Sequence, residues 1–295
     1  MECLRGIILI FITKQMSNTE YIIKPPSKFS LNLNELWQYK ELFYFFAWRD
    51  IKVKYKQTVL GIFWVILQPL VMMMVFTIFF SEALNVPTDN IPAPIFYVSG
   101  LLFWNLFSSG LSTSANSMVT NANIIKKIYF PRLIIPFSAV LVALFDFLMS
   151  LIVFVGILIY FNITEPEFQI RPVLFLYAPL ALILTIITTL GLGFTLAALN
   201  VKYRDFRYVI PFGIQFLMFV TPVIYPVTIF QNIPSLKYIL AFNPMTGAVI
   251  LVRNAFVPEN IDWSIVGISF GMSILLLVLG IYTFRKMEAY FADIV

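Results

Sequence analysis

The chain has 295 residues, of which 60% are hydrophobic and 12% are charged, and its formal net charge is +5. Soluble domains are about one quarter charged, so this composition excludes an ordinary soluble protein and predicts an integral membrane protein. The apolar runs are continuous rather than alternating, which excludes a membrane-spanning barrel of strands. With no His and a single Cys, Cys3, the sequence also excludes a His/Cys zinc site, a disulfide framework and thiol catalysis.

Residues 1–34 are predicted to be a cytoplasmic tail. Their apolar run from Leu4 to Ile12 is too short to cross a bilayer, and no small-residue cleavage site marks it as a signal peptide. The stretch after Met16 is polar and contains prolines, so the start of the natural chain is either Met1 or Met16.

Residues 35–58 are predicted to form an amphipathic interface helix at the cytoplasmic surface of the membrane. Aromatic and aliphatic residues recur at helical spacing, with basic residues between them. Such a helix lies in the interface with its apolar face toward lipid. Two interpretations stay open: a plain lipid anchor, and a collar that also contacts a cytoplasmic partner. The candidate residues of the interface helix are Trp48, Arg49, Lys52, Lys54 and Lys56.

The remainder, residues 59–295, is predicted to be one transmembrane domain with six spans, each of about 20 mostly apolar residues. The second span is the weakest, because Ser108 to Ser117 is polar and small. The fifth contains Pro211, Pro222 and Pro226 and should be kinked or broken near its far end. The predicted spans are 59–80, 94–117, 133–160, 173–199, 208–227 and 264–284.

Orientation follows from Lys and Arg, which accumulate in cytoplasmic loops. If the N-terminus is inside, all but three of the 20 Lys and Arg residues lie in inner segments. The three in outer segments are Arg171, Lys237 and Arg253. The sequence therefore predicts a multi-pass, all-α protein with both termini cytoplasmic. The distribution of its basic residues is explained by membrane orientation and does not indicate a nucleic-acid partner.

The outer segment 228–260 contains two apolar pieces of about a dozen residues, separated by Asn243-Pro244-Met245-Thr246-Gly247. Apolar pieces too short to span predict a re-entrant helical hairpin between the fifth and sixth spans. The alternative is a loop lying on the surface. The candidate outer-gate residues are Tyr225, Asn243 and Pro244.

The polar second span is the candidate substrate path, because its hydroxyl run is too polar to face lipid. Aromatic residues in the same span have faces suited to stacking on sugar rings, although an aromatic belt at the membrane surface explains them equally well. The candidate path residues are Tyr97, Trp104, Phe107, Ser108, Ser109, Ser112, Thr113 and Asn116.

Asp146 is the one ionisable residue well inside a predicted span. Intramembrane carboxylates are functional candidates, but an ion-coupled carrier needs a second such group or a cationic partner, and the sequence indicates none at that depth. Both a structural and a functional role stay open for Asp146.

Two short basic segments, 118–132 and 200–207, are predicted to lie on the cytoplasmic side between spans. They are either docking elements for a partner or ordinary cytoplasmic loops, which carry an excess of Lys and Arg in membrane proteins. No Gly-x-x-x-x-Gly-Lys-Ser/Thr phosphate loop occurs, so we expect no nucleotide or other cofactor in this chain. The candidate docking residues are Lys126, Lys127, Tyr129, Arg132, Arg204 and Asp205.

Several of these motifs, in this order, resemble the permease subunits of ABC type-2 polysaccharide exporters. The resemblance rests on Arg49 to Trp64 followed by Gln68-Pro69, Lys126 to Arg132, Asn200 to Asp205, Thr221 to Tyr225 and Asn243-Pro244-Met245. It implies a homodimer with two separate ATPase subunits, which bind ATP and Mg. It also implies that the loop after the second span docks on the ATPase and that outer re-entrant helices gate the exit. The tail 1–30 is longer than the family typically shows.

The resemblance further implies the export of lipid-linked O-antigen, capsular or teichoic-acid polymers across the bacterial inner membrane, with O-antigen expected first. An ABC type-2 permease for drugs or lipids is the alternative. A polyprenyl-dependent glycosyltransferase would need catalytic carboxylates at one membrane face, whereas the outer acids here are scattered. An ion-coupled carrier is disfavoured by the lone Asp146.

Overall fold

The computed structural model describes residues 37–56, 61–127, 130–203, 205–230, 232–258 and 261–288, and every regular element in these ranges is helical. The elements are α1 (Lys40–Lys56), α2 (Gly61–Phe76) with a π-helical continuation (Thr77–Ala83), α3 (Ala93–Thr120), α4 (Ala122–Ile125), α5 (Ile134–Thr164), α6 (Leu174–Lys202), α7 (Phe206–Val220), a 3₁₀ turn (Val227–Phe230), α8 (Pro234–Ala241), α9 (Pro244–Asn254) and α10 (Trp263–Glu288). The predicted tail 1–34 lies outside the described residues.

Five described helices are long and apolar enough to cross a membrane, which confirms the multi-span, all-α prediction. They are Phe63–Ala83, Ala93–Thr120, Ile134–Thr164, Leu174–Lys202 and Trp263–Glu288. The predicted fifth span 208–227 is shorter than expected, because α7 ends at Val220, two residues before Pro222. Thr221 is extended (φ −76°, ψ 136°), as the residue before a proline prefers.

The second span, α3, is the centre of the bundle: 78% of its most apolar stretch is buried, against 11% for the first span. Small residues allow this. A Cβ at Gly110 would lie 2.8 Å from Thr189 Cγ2, and one at Gly193 would lie 2.5 Å from Ser114 Oγ. Small residues in the polar run of the second span, such as Gly110 and Ser114, therefore pack closely against the neighbouring helices α5 and α6.

Helices α6 and α10 cross at backbone contact. A Cβ at Gly280 would lie 2.2 Å from the Gly191 carbonyl oxygen, so only glycine fits there. The Gly191-Leu192-Gly193 sequence is thus a helix-packing motif.

The interface helix α1 lies against α5 at the end of the bundle where α3 and α6 finish. Phe46 is buried with Phe130 and Ile134, whereas Tyr44, Phe45 and Trp48 are exposed. Arg49 Nη2 donates to Asn121 Oδ1 at 2.7 Å, just beyond the end of α3. Some aromatic residues of α1 therefore pack against the bundle, and others are exposed on the outside of the protein.

Candidate transport cavity

A cavity of about 860 Å³ opens between α2, α3, α5 and α7, and Lys54 and Tyr55 in the last turn of α1 also line it. The apolar residues that line it are Trp64, Val65, Pro69, Leu102, Leu106, Ala143, Phe147, Pro211 and Ile214. The polar residues that line it are Lys54, Tyr55, Gln68, Asn105, Ser108, Ser109, Ser112, Asp146 and Ser150. The cavity therefore suits a ligand that has both apolar and hydroxyl-rich parts.

The serine hydroxyls that line the cavity lie mainly on one face of α3. Asn105, Ser108, Ser109 and Ser112 are spaced three or four residues apart, which places them on the same side of a helix. Ser108 Oγ donates to the Asn105 carbonyl oxygen at 3.3 Å. Hydroxyls that are satisfied by the helix backbone tolerate a partly apolar surrounding and still accept a hydrogen bond from a ligand.

Asp146 joins the interface helix to the third span. Lys54 Nζ lies 2.5 Å from Asp146 Oδ2, and the Tyr55 hydroxyl donates to Asp146 Oδ1. The expectation that no cation reaches this carboxylate was wrong, because α1 folds back along α5 and delivers Lys54. Burial and the hydrogen bond to Asp146 raise the pKa of Tyr55, so Tyr55 remains a protonated donor.

The predicted path residues separate into three groups in the structure. Ser108, Ser109 and Ser112 line the cavity. Thr113 directly follows Ser112, and Asn116 lies one turn beyond Ser112 on α3, where Asn116 Oδ1 accepts from Asn200 Nδ2 at 3.1 Å. The aromatic candidates Tyr97, Trp104 and Phe107 are 0%, 4% and 1% exposed and pack in the interior of the chain. Their place on a substrate path stays a prediction.

The predicted docking residues that the structure describes lie at the α1 end of the bundle. Lys126 and Lys127 are exposed after α4, and Asp205 is exposed immediately before α7. Arg132 Nη1 donates to the Glu288 carbonyl oxygen, which ties the loop to the end of α10. Tyr129 and Arg204 lie outside the described residues.

Of the interface-helix candidates, Trp48 is 44% exposed, and Lys52 Nζ lies 5.1 Å from the centre of its ring. Arg49 also pairs with Asp50 at 2.7 Å, and Lys56 is exposed at the end of α1. Only Lys54 of these residues reaches the cavity.

The candidate outer-gate residues are in contact with the segment that follows α7. Asn243 caps α9, because its Oδ1 accepts from Met245 N at 3.1 Å, and its Nδ2 donates to Thr221 Oγ1 at 2.8 Å. Pro244 occupies the first turn of α9, where its missing N–H costs nothing. The Tyr225 hydroxyl donates to the Val220 carbonyl oxygen at 3.0 Å.

Sequence reasoning missed Arg253, which it counted among the outer loop cations. The structure buries this side chain to 7% exposure in the last turn of α9. A lone cation within the apolar piece that begins at Met245 was the available signal, because a charge in such a run needs a buried set of partners.

Comparison with known proteins gives a family and several relatives. Residues 41–257 match the ABC-2 type transporter family model. The O-antigen export system permease protein RfbA of Klebsiella pneumoniae is 29% identical over 83% of this chain and 92% of its own length. The Myxococcus xanthus protein of that name is 30% identical over 72% of this chain and 79% of its own length.

A more distant relative is the polysialic acid transport protein KpsM of Escherichia coli, which is 24% identical over 72% of this chain and 80% of its own length. The family match covers nearly all of α1, four of the five long helices (all but α10) and the bent pair α8–α9. The chain belongs to the ABC-2 type transporter family.

Proposed function

We propose that this chain is the transmembrane subunit of an ATP-driven exporter that moves lipid-linked polysaccharide, O-antigen first among the candidates, across the bacterial inner membrane. It acts as a homodimer with two separate ATPase subunits, which bind ATP and Mg. The similarity to permeases named for O-antigen export, over 92% of one relative's length, supports this substrate class over a drug or membrane lipid.

The observation that carries the proposal is the mixed lining of the cavity. Apolar side chains such as Trp64 and Leu106 line the same space as the hydroxyls of Ser108, Ser109 and Ser112. A lipid-linked polymer has an apolar lipid for the first kind of surface and hydroxyl-rich rings for the second.

The bent pair α8–α9 is proposed to be the re-entrant gate on the outer side. The two helices meet at 103°. The bend is deep: Ser269 Oγ donates to the Ala241 carbonyl oxygen at 2.9 Å, and Ser269 lies six residues, about 9 Å, into the last span.

Both ends of the pair lie at the same outer level. Lys237 near the start of α8 pairs with Asp262 at 2.8 Å, directly before the last span. Arg253 at the end of α9 reaches Phe96, three residues into the second span. A segment that enters and leaves on one side is a re-entrant hairpin. Helix α7 is then the fifth of six crossings, and both termini are cytoplasmic.

The ATPase is proposed to dock at the opposite end, on the exposed cations Lys126 and Lys127 and on Asp205. The short helix α4 presents the two lysines between two long spans, so a partner that binds there acts directly on the ends of α3 and α5.

The test is reconstitution of the permease with its partner ATPase in liposomes. We expect ATP-dependent movement of lipid-linked O-polysaccharide and no ATP hydrolysis by the permease alone. Transport of a phospholipid or a hydrophobic drug, with the polysaccharide left in place, would instead establish the alternative family function. ATP hydrolysis by the purified permease alone would contradict the proposal that a separate subunit hydrolyses ATP.

A further inference from the structure

The buried guanidinium of Arg253, at the end of α9, contacts two other segments at the outer end of the bundle. Its Nη1 donates to the Pro222 carbonyl oxygen at 2.6 Å and to that of Tyr225 at 3.3 Å. Its Nη2 donates to the carbonyl oxygens of Val223 at 2.6 Å and Phe96 at 3.2 Å. The side chain thus links the end of α9 to the segment after α7 and to the second span.

The surroundings are shaped for this guanidinium. Its carbon lies 3.4 Å from the centre of the Phe96 ring, a stacked cation–π contact. Gly100 leaves the necessary room, since a Cβ there would lie 2.8 Å from Arg253 Nη2. The carbonyls of 222–225 are available because α7 has already ended at Val220 and no helix uses them.

A buried cation held by backbone carbonyls is a costly way to fasten helices that apolar contacts would fasten without a charge. It has one property that apolar packing lacks: once the carbonyls move away, the charge favours water. Arg253 lines a small outer cavity of about 180 Å³ together with Asp89 and Asp262. A released guanidinium therefore has the Asp89 carboxylate beside it, whereas Asp262 is already paired with Lys237.

We propose that Arg253 is the positioning residue that holds the outer gate closed at rest, by clamping 222–225 and α9 onto the second span, and that export requires this clamp to open. The inference rests on the proposed function of α8–α9 as the outer gate. It assigns the closing contact to one side chain and predicts which two surfaces separate.

The first test measures the resting proton leak of liposomes that contain the permease–ATPase complex without ATP. Arg253→Met keeps the apolar stem and removes the donors. We expect its leak to rise by roughly tenfold or more, because one charge-assisted hydrogen bond shifts a closed state by about that factor. Gly100→Ala displaces the guanidinium while keeping it and should also leak. Gly156→Ala is the matched control, since a Cβ there meets nothing within 4 Å.

The second test separates gating from a purely structural role. A Cβ at Gly100 would lie 3.4 Å from Val223 Cγ1 and 3.5 Å from Val223 Cα, within reach of a disulfide. Gly100→Cys and Val223→Cys are combined with Arg253→Met and Cys3→Ser. Oxidation should restore a tight membrane and stop export, and reduction should restore the leak.

Three results would overturn the proposal: an Arg253→Met complex as tight as the unmodified one, an oxidised lock that exports normally, or a Cys pair that does not crosslink at rest. A complex that is tight and lockable but moves no polysaccharide would leave the clamp standing and contradict the proposed function instead.

Discussion

At the residue scale, the ion pair of Lys54 and Asp146 connects the surface helix to the transport cavity. The two residues are 92 positions apart, so no local sequence pattern announces the contact. Asp146 itself was a candidate from sequence because an intramembrane carboxylate is unusual. What the sequence did not show is that α1 lies along α5 and supplies Lys54 and Tyr55 as donors.

Asp146→Asn and Lys54→Met should each lower ATP-dependent export while the complex still assembles, because each leaves the other charge at the cavity without its counter-charge. The charge-swapped variant Lys54→Asp with Asp146→Lys should recover part of the export. A swapped variant no better than the worse single variant would show that the pair itself is not what matters.

At the element scale, the long apolar runs predicted the spans well. The predicted 133–160 and 173–199 became Ile134–Thr164 and Leu174–Lys202, because continuous apolarity and a low density of charged residues are local properties. The fifth span was predicted too long, because its hydropathy continues past Val220 whereas its backbone does not continue as a helix before Pro222. No sequence pattern paired Gly191 with Gly280, because the two glycines lie on helices distant in the chain and meet only when α6 and α10 pack.

The α6–α10 crossing should tolerate no side chain. Gly280→Ala puts a Cβ against the Gly191 backbone, which cannot yield as a flexible side chain would. Overpacking of this kind costs about 1–3 kcal/mol, so thermal unfolding in detergent should occur at a clearly lower temperature. Gly156→Ala, on an open face of α5, should unfold at or slightly above the normal temperature. Equal unfolding temperatures for the two variants would contradict the close crossing.

The docking element makes a separate prediction. Lys126→Glu with Lys127→Glu should reduce co-purification of the ATPase and export, because both side chains are exposed and reversed charge repels a partner that is complementary to cations. Lys286→Glu changes one exposed cation near the same end of α10 and should have less effect. Normal recovery of the ATPase with the double variant would place docking elsewhere.

At the scale of the whole molecule, the Lys54–Asp146 pair and a hydroxyl face of α3 line one cavity, and the buried Arg253 and the bent pair α8–α9 lie at the end of the bundle away from α1. The sequence indicated the membrane fold and the family resemblance, since these depend on composition and local motifs. It did not separate the buried aromatics Tyr97, Trp104 and Phe107 from the cavity-lining serines, because that difference depends on how α3 is rotated among its neighbours.

The central claim is that the cavity beside α3 is the substrate path, and its most direct measurement is cysteine labelling in the assembled exporter. Single Ser109→Cys and Ser112→Cys variants are made in a Cys3→Ser background and treated with a membrane-impermeant maleimide. Ile152→Cys, on the exposed face of α5 at 68% exposure, is the lipid-facing control. We predict that both serine positions react several times faster than position 152, and that lipid-linked polysaccharide slows their labelling. Equal labelling at all three positions, unchanged by substrate, would contradict the account.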